Sequence, residues 1–500
     1  MTRPARRFVT SGLPLLVGLL ILAPSGSAAP SAGATAKVTP GVLRATEGGA
    51  STSFMVALTS RADLSAASAL RSKLDKGRFV FHMLTTHADR TQAPIRAMLD
   101  RMGVTYHAHF VANVIRVTGD RAVVDALAAR ADVASISPDP WVRSTLLPRG
   151  GPKLSPSAPT AIEWNVKKVN APKVWQEGYG GDGIVVGNID TGQQWTHPAI
   201  KDQYRGWNGT SANHNYNWYD EIDPTNRAPV DENGHGTHTT GTILGEDGTN
   251  HIGVAPHATW IACRSMNSGG FGNQDTYLGC MEYMLAPWDL NHQNPDPTKA
   301  PVAISNSWFC SITLEGCTQA WLADVVHSLR LAGIVVVVAA GNSGPFCETI
   351  GNDGPPAQYD DSFTVGATTI TDSLASFSSR GPAHFAGNTY IKPDIVAPGD
   401  GVRSSYPPNT YAVLSGTSMA TPHITGVVAL LYDAHPELIG NVDATEQQLD
   451  ATAHHRNSSS CSSNGSYPNN LYGYGLVDAK KAVDTPPIGM PAAVTSSGRS

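Results

Sequence analysis

The chain has 500 residues, with 49 Gly, 35 Pro, 15% charged residues and a formal net charge of −6. This length allows two or three domains with an ample hydrophobic core. The mildly acidic balance, with no basic cluster beyond the extreme N-terminus, argues against a nucleic-acid partner.

Residues 1–28 have the pattern of a secretory signal. Arg3, Arg6 and Arg7 form a positive segment, and an apolar run and a group of small residues follow it. The apolar run is too short for a transmembrane helix, and no later run reaches membrane length. We therefore expect a secreted, extracellular protein with no membrane attachment after signal removal. The alternative is an uncleaved membrane anchor.

Residues 30–145 predict a small α+β domain. Apolar patterns indicate strands at 54–58, 104–108, 111–117 and 133–136, and helices at 92–102 and 122–129. This order of strand, helix, two strands, helix and strand is the split βαβ pattern. Residues 146–160 are rich in Pro, Gly and Ser, and they predict an exposed linker without regular structure.

Residues 161–483 predict a three-layer α/β/α domain with a mostly parallel sheet. Short apolar runs without alternation are typical of strands buried on both faces, and here they alternate with helical segments. The predicted strands are 184–189, 259–263, 302–305, 335–339 and 363–367, and the predicted helices are 237–244, 276–285, 322–332 and a helix at Ser418. Residues 484–500 predict a disordered tail.

Four polar residues stand where such a sheet would bind a ligand. Asp190 ends one buried strand, Asn342 follows another, and His235 precedes a predicted helix. Ser418 stands before a long apolar run, with Pro422 in the expected first helical turn. A serine at a helix N-terminus has a backbone N–H and a helix dipole that favour an oxyanion on an attacked carbonyl.

Each of these residues has an ordinary explanation when it stands alone. Ser418 could cap a helix and Asn342 could be a turn residue. Asp-Thr-Gly also occurs in aspartic proteases, but their chemistry needs two such acids and this chain has one. His235 and His238 have the spacing of a zinc pair, but no Glu lies between them and no third ligand is obvious beside them.

Taken together, the four motifs are far more specific. Asp190, His235 and Ser418 follow one another in a chain order that differs from those of α/β-hydrolases and chymotrypsin-like enzymes. Asp-Thr-Gly, His-Gly-Thr-His, Ala-Ala-Gly-Asn and Gly-Thr-Ser-Met-Ala-Thr-Pro resemble the subtilisin-like serine peptidases, the S8 or subtilase family. The resemblance covers about residues 160–482 and implies a serine-type endopeptidase that acts on polypeptides.

The resemblance implies a role for each residue. Ser418 is the nucleophile, His235 the general base and acid, and Asp190 the group that orients His235. The side chain of Asn342 and the N–H of Ser418 would form the oxyanion hole. We interpret His238 as a packing residue rather than a second base.

The same resemblance indicates where substrate would bind. Ser307 matches the family pattern, whereas Trp308, Phe309 and Cys310 depart from it. The bulky rings of this segment could narrow the first specificity pocket or form an aromatic shelf for an upstream side chain. The small residues expected to line the pocket are Ala339, Ala340, Gly341 and Gly354. The residue preferred before the scissile bond stays open.

No cofactor is implied for the chemistry, and structural calcium is left open. Residues 245–250 are short compared with the loop that holds calcium in many subtilisins. Acidic residues precede His235 and could offer oxygen ligands, but a solvated acidic loop is the alternative that we favour. They are Asp220, Asp223, Asp231 and Glu232. The metal ligands therefore remain unknown at this point.

By analogy with the family, residues 30–145 are expected to act as a propeptide. Such a unit assists folding and blocks the cleft as an intramolecular inhibitor until self-cleavage removes it. The bond that is cut stays open between Thr145 and Ala161, and a permanently attached accessory domain is the alternative. We expect the enzyme to act as a monomer.

The six cysteines all lie within residues 263–461, and an even number in an exported chain suggests disulfides. Proximity favours a bond between Cys310 and Cys317. The remaining pairs would then be Cys263 with Cys280 and Cys347 with Cys461, the alternative being free thiols.

Two other functions are compatible with parts of this pattern. A catalytically silent homologue would bind or scaffold, but the complete set of four residues argues against it. A secreted serine esterase is disfavoured by the chain order of the motifs.

Overall fold

A computed structural model describes residues 36–146, 152–155, 161–312, 317, 319–352 and 354–489. The predicted signal segment, two parts of the predicted linker (147–151 and 156–160) and residues 490–500 of the predicted tail lie outside the described residues. The described residues form an N-terminal α+β unit followed by a larger α/β domain. No helix in the described ranges combines the length and the apolar character needed to cross a membrane.

The N-terminal unit is built on a four-stranded antiparallel sheet with the spatial order β2-β3-β1-β4. In chain order its elements are α1 (Pro40–Ala45), β1 (Thr52–Leu58), α2 (Lys73–Met102), β2 (Thr105–His109), β3 (Val114–Gly119), α3 (Arg121–Ala128) and β4 (Val133–Pro138). Apolar side chains of β1, α2, β3, α3 and β4 form its core, among them Phe54, Ile95 and Leu127. The predicted split βαβ order is therefore present.

Helix α2 is much longer than the eleven residues that the sequence pattern indicated. It begins after Ser72, whose Oγ accepts the N–H of Asp75 at 3.0 Å, and it ends at Gly103 in the left-handed region. Its C-terminal half packs on the sheet, whereas Val80 and Leu84 pack against the large domain. The apolar residues of the two halves therefore lie on different faces of the helix. For this reason no single helical period of apolar residues runs through the whole segment.

The large domain contains a seven-stranded parallel sheet. Its strands are β8 (Val185–Asp190), β9 (Trp218–Asp220), β11 (Thr259–Arg264), β13 (Ala303–Asn306), β14 (Val335–Ala339), β15 (Phe363–Thr368) and β18 (Ile395–Pro398). Their spatial order is β18-β15-β14-β13-β8-β11-β9. The five predicted strands agree with the structure to within one or two residues. Strands β9 and β18, at the two edges, were not predicted.

Helices cover both faces of this sheet, as the predicted three-layer architecture requires. The longer ones are α6 (His235–Leu244), α7 (Gln274–Leu285), α8 (Gln319–Leu331), α9 (Thr417–Ala434) and α10 (Val442–Thr452). Shorter helices are α4 (Trp164–Lys168), α5 (Ala171–Trp175) and α11 (Ala479–Asp484), with a single turn at Pro198–Lys201. Helices α6 and α9 share one hydrophobic core with strand residues, while α7 and α8 belong to a second core that also receives α2.

Small sheets complete the molecule. The hairpin of β19 (Val402–Tyr406) and β20 (Thr410–Leu414) pairs through β20 with β6 (Lys153–Ser155). Strand β6 lies inside the predicted linker, which therefore contains regular structure, contrary to expectation. The remaining strands are β5 (Val142–Arg143) with β12 (Phe271–Gly272), β7 (Ala161–Ile162) with β10 (Asn250–His251), and β16 (Ala383–Phe385) with β17 (Asn388–Tyr390).

All three predicted disulfides are present. Cys263 pairs with Cys280, Cys310 with Cys317 and Cys347 with Cys461, at Cα–Cα distances of 5.4, 5.9 and 5.2 Å. Free thiols, the alternative, do not occur among the six cysteines.

Candidate active site

The carboxyl ends of three adjacent strands deliver the polar residues of the site. β8 ends at Asp190, β13 leads into Ser307, and β14 leads into Asn342. Because β13 lies between β8 and β14 and all three are parallel, these ends lie side by side at one edge of the sheet. This is the edge at which ligands bind in open α/β sheets.

Asp190 and His235 form a buried hydrogen-bonded pair. The Nδ1 atom of His235 lies 2.7 Å from Oδ1 of Asp190, and the two side chains are 1% and 0% exposed. The N–H of Thr191 and the hydroxyl of Thr239 also donate to the Asp190 carboxylate, at 2.7 and 3.1 Å. Since its oxygens have these donors, the carboxylate is fixed in orientation and holds the imidazole with Nε2 directed away from Asp190.

A glycine makes this approach of helix and strand possible. A Cβ atom at Gly236 would lie 2.1 Å from the carbonyl oxygen of Gly192 and 3.1 Å from Cβ of Asp190. Any larger residue would push the first turn of α6 away from the end of β8. Gly236 therefore sets the distance between His235 and Asp190.

Ser418 is the second residue of helix α9 and is fully buried. Its Oγ atom and Nε2 of His235 are both buried without a hydrogen-bond partner among the described residues. The helix begins at Thr417, so Pro422 is its sixth residue and not part of the first turn as predicted. Pro422 has no N–H to give to the carbonyl of Ser418, and the Ser307 hydroxyl donates to that oxygen instead, at 3.1 Å.

The amide of Asn342 is oriented by the start of the same helix. Its Oδ1 accepts the N–H and the hydroxyl of Thr417 at 2.9 and 3.0 Å. The Nδ2 group is thereby left to donate, and it lies 3.4 Å from the carbonyl oxygen of Leu146. A backbone carbonyl at the end of the N-terminal unit thus reaches the group expected to bind an oxyanion.

Leu146 occupies a small apolar pocket at this point. Its side chain is 2% exposed and forms a separate cluster with Phe309 and Ala339. Leu146 was not among the predicted site residues, whereas Phe309 carries one of the two rings expected near the first pocket. The signal for Phe309 was its position in the segment after Ser307, whereas the position of Leu146 depends on the docking of the N-terminal unit.

The residues just before Leu146 lie along the large domain as an added strand. β5 pairs with β12 in an antiparallel ladder, Arg143 opposite Phe271, and the N–H of Ser144 donates to the carbonyl of Gly270 at 2.9 Å. This arrangement is the β-strand addition by which extended peptides bind to a sheet edge.

The other predicted pocket residues fall in different places. Trp308 differs from expectation, because its ring is fully buried and stacks on Tyr277 with 4.2 Å between ring centroids, in the core rather than against Leu146. Ala340 also faces that core, and the N–H of Gly341 donates to the Thr417 hydroxyl at 3.2 Å. Gly354 has φ of +130°, and a Cβ there would lie 2.0 Å from the carbonyl oxygen of Cys310.

His238 is a buried packing residue. Its Nε2 donates to the carbonyls of Val402 and Ala412, each at 3.1 Å. Burial lowers the pKa of His238 to about 3, so the ring is neutral at physiological pH. Its hydrogen bonds join α6 to the β19–β20 hairpin, which agrees with a packing role.

The acidic residues before His235 do not assemble a calcium site. Asp220 accepts three hydrogen bonds and pairs with Arg264, and Glu232 pairs with the same guanidinium at 2.8 Å. Both oxygens of Asp231 accept protein donors, including the hydroxyls of Thr191 and Thr237. Oδ1 of Asp223 accepts the N–H and the hydroxyl of Thr225. Because Asp220 and Asp231 are already saturated with protein donors, the four residues do not converge on a calcium site. Asp220 and Asp231 are also buried rather than solvated, contrary to the favoured alternative.

Comparison with known proteins agrees with this geometry. The subtilase family, peptidase S8, matches residues 181–475. The chain belongs to the subtilase family. The large domain is referred to below as the subtilase domain. As a member of this family it is a serine-type endopeptidase.

Relatives of known name extend over different shares of the chain. Bacillopeptidase F of Bacillus subtilis (strain 168) is 38% identical over 434 residues, which cover 83% of this chain and 29% of that protein. Subtilisin Savinase of Lederbergia lenta is 34% identical over 332 residues, covering 64% of this chain and 98% of the relative. M-protease of Shouchella clausii (strain KSM-K16) is 34% identical over 327 residues, covering 64% and 70%. The chain thus spans under a third of bacillopeptidase F but most of the two shorter proteases.

Proposed function

We propose that the protein is a secreted serine endopeptidase that hydrolyses polypeptides through an acyl-enzyme on Ser418 and is made as a self-processed zymogen. The observation that carries the proposal is the carbonyl of Leu146 beside Asn342, in the same site as the Asp190–His235 pair and Ser418. Secretion is supported by the signal pattern at the N-terminus.

The chemistry follows from the positions of the four residues. Nε2 of His235 takes the proton of the Ser418 hydroxyl as Oγ attacks the substrate carbonyl, and Asp190 stabilises the imidazolium that forms. The tetrahedral oxyanion accepts hydrogen bonds from Nδ2 of Asn342 and the N–H of Ser418, at the positive end of α9. His235 then protonates the leaving amine, and water hydrolyses the acyl-enzyme by the same steps.

Residues 36–146 act as an intramolecular inhibitor in this proposal, and the bond between Leu146 and Leu147 is cut in maturation. Leu146 occupies the first pocket, and residues 142–144 pair with 270–272 as a substrate would. The similarity to bacillopeptidase F covers 83% of the chain, more than residues 161–500 alone could supply. It therefore extends into the N-terminal unit.

The pocket around Leu146 also indicates a substrate preference. Phe309 and Ala339 offer an apolar surface, and neither carries a charge to pair with an acidic or basic side chain. We therefore expect substrates with leucine or a similar apolar residue before the scissile bond. A charged residue would lose its hydration there without a compensating partner.

The test is to label the secreted full-length protein with a fluorophosphonate and to map the label and the N-terminus in one sample. We expect modification of Ser418 on a chain that begins at Leu147. The Ser418→Ala variant should take no label and keep its N-terminal unit. An unlabelled Ser418 on a chain that has lost residues 36–146 would overturn the assignment as a peptidase.

Two leucine variants test the bond itself. Leu146→Asp should slow self-cleavage at least tenfold, because a carboxylate would enter the apolar pocket. The matched control is Leu154→Asp, since Leu154 is 65% exposed and lies outside the pocket. Equal cleavage of both variants, with an N-terminus elsewhere, would overturn the Leu146–Leu147 assignment.

A further inference from the structure

Two histidines of the N-terminal unit meet acidic residues of the subtilase domain in a site that peptide hydrolysis does not use. His107 and His109 lie two residues apart on β2, so their side chains project from the same face of the strand. Nδ1 of His107 and Nε2 of His109 lie 2.9 and 2.7 Å from the same oxygen, Oδ1 of Asp275. The three potential ligand atoms lie within 4.8 Å of one another.

The carboxylate of Glu221 lies beside these three groups and is a fourth potential ligand. Oε1 of Glu221 lies 3.6 Å from Nδ1 of His107, and the Glu221 side chain is only 4% exposed. Its other oxygen, Oε2, is buried without a hydrogen-bond partner among the described residues. The hydroxyl of Tyr219 interacts with this carboxylate, and Oε2 remains a buried acceptor of the kind that coordinates a cation.

We propose that His107, His109, Glu221 and Asp275 bind one divalent transition-metal ion of the zinc class, which fastens the N-terminal unit to the subtilase domain. Two imidazole nitrogens and two carboxylate oxygens make a ligand set that zinc accepts in tetrahedral geometry. Bonds of about 2.0–2.1 Å place tetrahedral ligand atoms roughly 3.3 Å apart, close to the spacings present.

The surroundings have the features of an outer shell around a metal. Nδ1 of the fully buried His109 lies 3.3 Å from Oε2 of Glu282, which would orient the ring with Nε2 toward the ion. The other oxygen of Glu282 accepts the N–H groups of Phe110 and Val111 and is thereby held in place. Arg116 lies 3.5 Å from Oδ2 of Asp275, the oxygen that faces away from the histidines.

The balance of charges around the four residues also favours a bound cation. Four carboxylates gather here, those of Asp139, Glu221, Asp275 and Glu282, against one guanidinium, that of Arg116. With neutral imidazoles, as metal ligation requires, the negative charge exceeds the positive, and a divalent cation would offset most of the difference. His107 is 44% exposed and provides the route by which an ion enters.

The proposal gives the ion a role in the zymogen, and in this it rests on the proposed function. His107 and His109 come from the unit that maturation removes, and Glu221 and Asp275 come from the domain that remains. If the ion binds only when the N-terminal unit is docked on the subtilase domain, it raises the equilibrium constant for docking by the factor 1 + [Zn²⁺]/Kd. After cleavage at Leu146 it would therefore delay release of the inhibitor.

Metal binding is tested in the full-length Ser418→Ala chain, in which no acyl-enzyme can form. The protein is stripped with a chelator, exposed to Zn²⁺ alone, passed through a desalting column and analysed for zinc by mass spectrometry. Co²⁺ then serves as a spectroscopic probe of tetrahedral nitrogen and oxygen ligation. We expect one ion per chain and visible absorption typical of tetrahedral Co²⁺, whether or not the protein is a peptidase.

Matched variants in the same background locate the ion. His107→Ala and Glu221→Gln should each weaken zinc binding at least tenfold. His82→Ala should leave it unchanged, because His82 is an exposed histidine of the same unit and lies outside the cluster. Circular dichroism of each variant verifies folding. No retained zinc, or equal affinity in all variants, would overturn the metal site in favour of protonated histidines paired with the carboxylates.

The effect of the ion on release of the N-terminal unit is tested in the catalytically intact chain. At free Zn²⁺ of about 100 times Kd, the released fraction of the N-terminal unit should fall about 100-fold, and a chelator should restore release. His107→Ala should remove this zinc dependence. If the chain binds zinc but release of the N-terminal unit does not respond to it, the proposed role of the ion in docking is wrong.

Discussion

At the scale of single residues, the geometry of the site depends on hydrogen bonds made by the side chains of Asn342 and Ser307. Asn342 uses Oδ1 to accept from Thr417, so that Nδ2 alone is left to donate, as the proposed oxyanion hole requires. Ser307 replaces the hydrogen bond that Pro422 cannot make to the carbonyl of Ser418. Both arrangements fix the geometry of the first turn of α9 before substrate arrives.

Asn342→Ala should lower kcat by about 10²–10³, the loss known for one such donor removed from a subtilisin, with little change in KM. The reason is that Nδ2 interacts with charge that develops only in the transition state. Steady-state kinetics on a peptide with leucine before the scissile bond measures the effect. Asn388→Ala, in the distant β16–β17 hairpin, is the control and should leave both constants unchanged. A rise in KM at constant kcat would contradict the assigned role.

Two adjacent aromatic residues show what sequence leaves open at this scale. The segment after β13 indicated that bulky rings lie near the first pocket, with Trp308 and Phe309 as candidates, and Trp308 was selected as a pocket residue. Trp308 instead stacks on Tyr277 in the core, and Phe309 contacts Leu146. Successive side chains of an extended segment point to opposite sides, so the choice between them depends on which side the core occupies.

At the scale of elements, helix α2 performs two tasks with its two faces. Ile95 and Leu99 belong to the core of the N-terminal unit, whereas Val80 and Leu84 belong to the core shared with the subtilase domain. The helix thereby connects folding of the unit with docking. The apolar pattern of either half is short, and for this reason the sequence predicted only residues 92–102.

Two glycines of this helix should respond in opposite ways to alanine. Gly103→Ala should destabilise the helix by about 1–2 kcal/mol, because φ is +66° there and no neighbouring atom could compensate. Gly77→Ala should stabilise it by about 0.5–1 kcal/mol, because a helical Cβ would contact Pro297 at an ordinary 3.7 Å. Hydrogen exchange of residues 73–102 in the Ser418→Ala chain measures both changes. Shifts of the same sign would contradict the local geometry.

At the scale of the whole molecule, one disulfide joins distant parts of the subtilase domain. Cys347, five residues after Asn342, is bonded to Cys461 across 114 residues. Both cysteines lie at or near the surface, so their packing contributes little. The bond should therefore act chiefly through the closure of a long loop, which constrains the unfolded chain.

Replacing both Cys347 and Cys461 with alanine should lower the free energy of unfolding by about 2–5 kcal/mol. Urea unfolding of the Ser418→Ala chain, in which self-digestion is absent, gives the value. Phe346→Ala is the neighbouring control: its side chain is 74% exposed, and its loss should change stability by no more than about 0.5 kcal/mol. A double variant as stable as the control would show that loop closure does not limit the unfolded state.

The sequence by itself predicted the family, the positions of the five central strands along the chain, the disulfide pairs and the four residues assigned to the chemistry. The family, the strands and the four residues follow from local patterns, since a buried parallel strand, a glycine turn and a helix start each have a signature within about ten residues. The pairing of Cys347 with Cys461 was instead inferred from what remained once Cys310 had been paired with Cys317. Tertiary structure alone decided that Leu146 fills the pocket, that Phe309 rather than Trp308 lines it, and that His107 and His109 meet Glu221 and Asp275. The contacts of Leu146 with Phe309 and Ala339 and those of the two histidines join residues more than 100 positions apart in the chain, and they depend on how the N-terminal unit docks. The choice between Phe309 and Trp308 depends on which side of an extended segment faces the core. No local pattern carries that information.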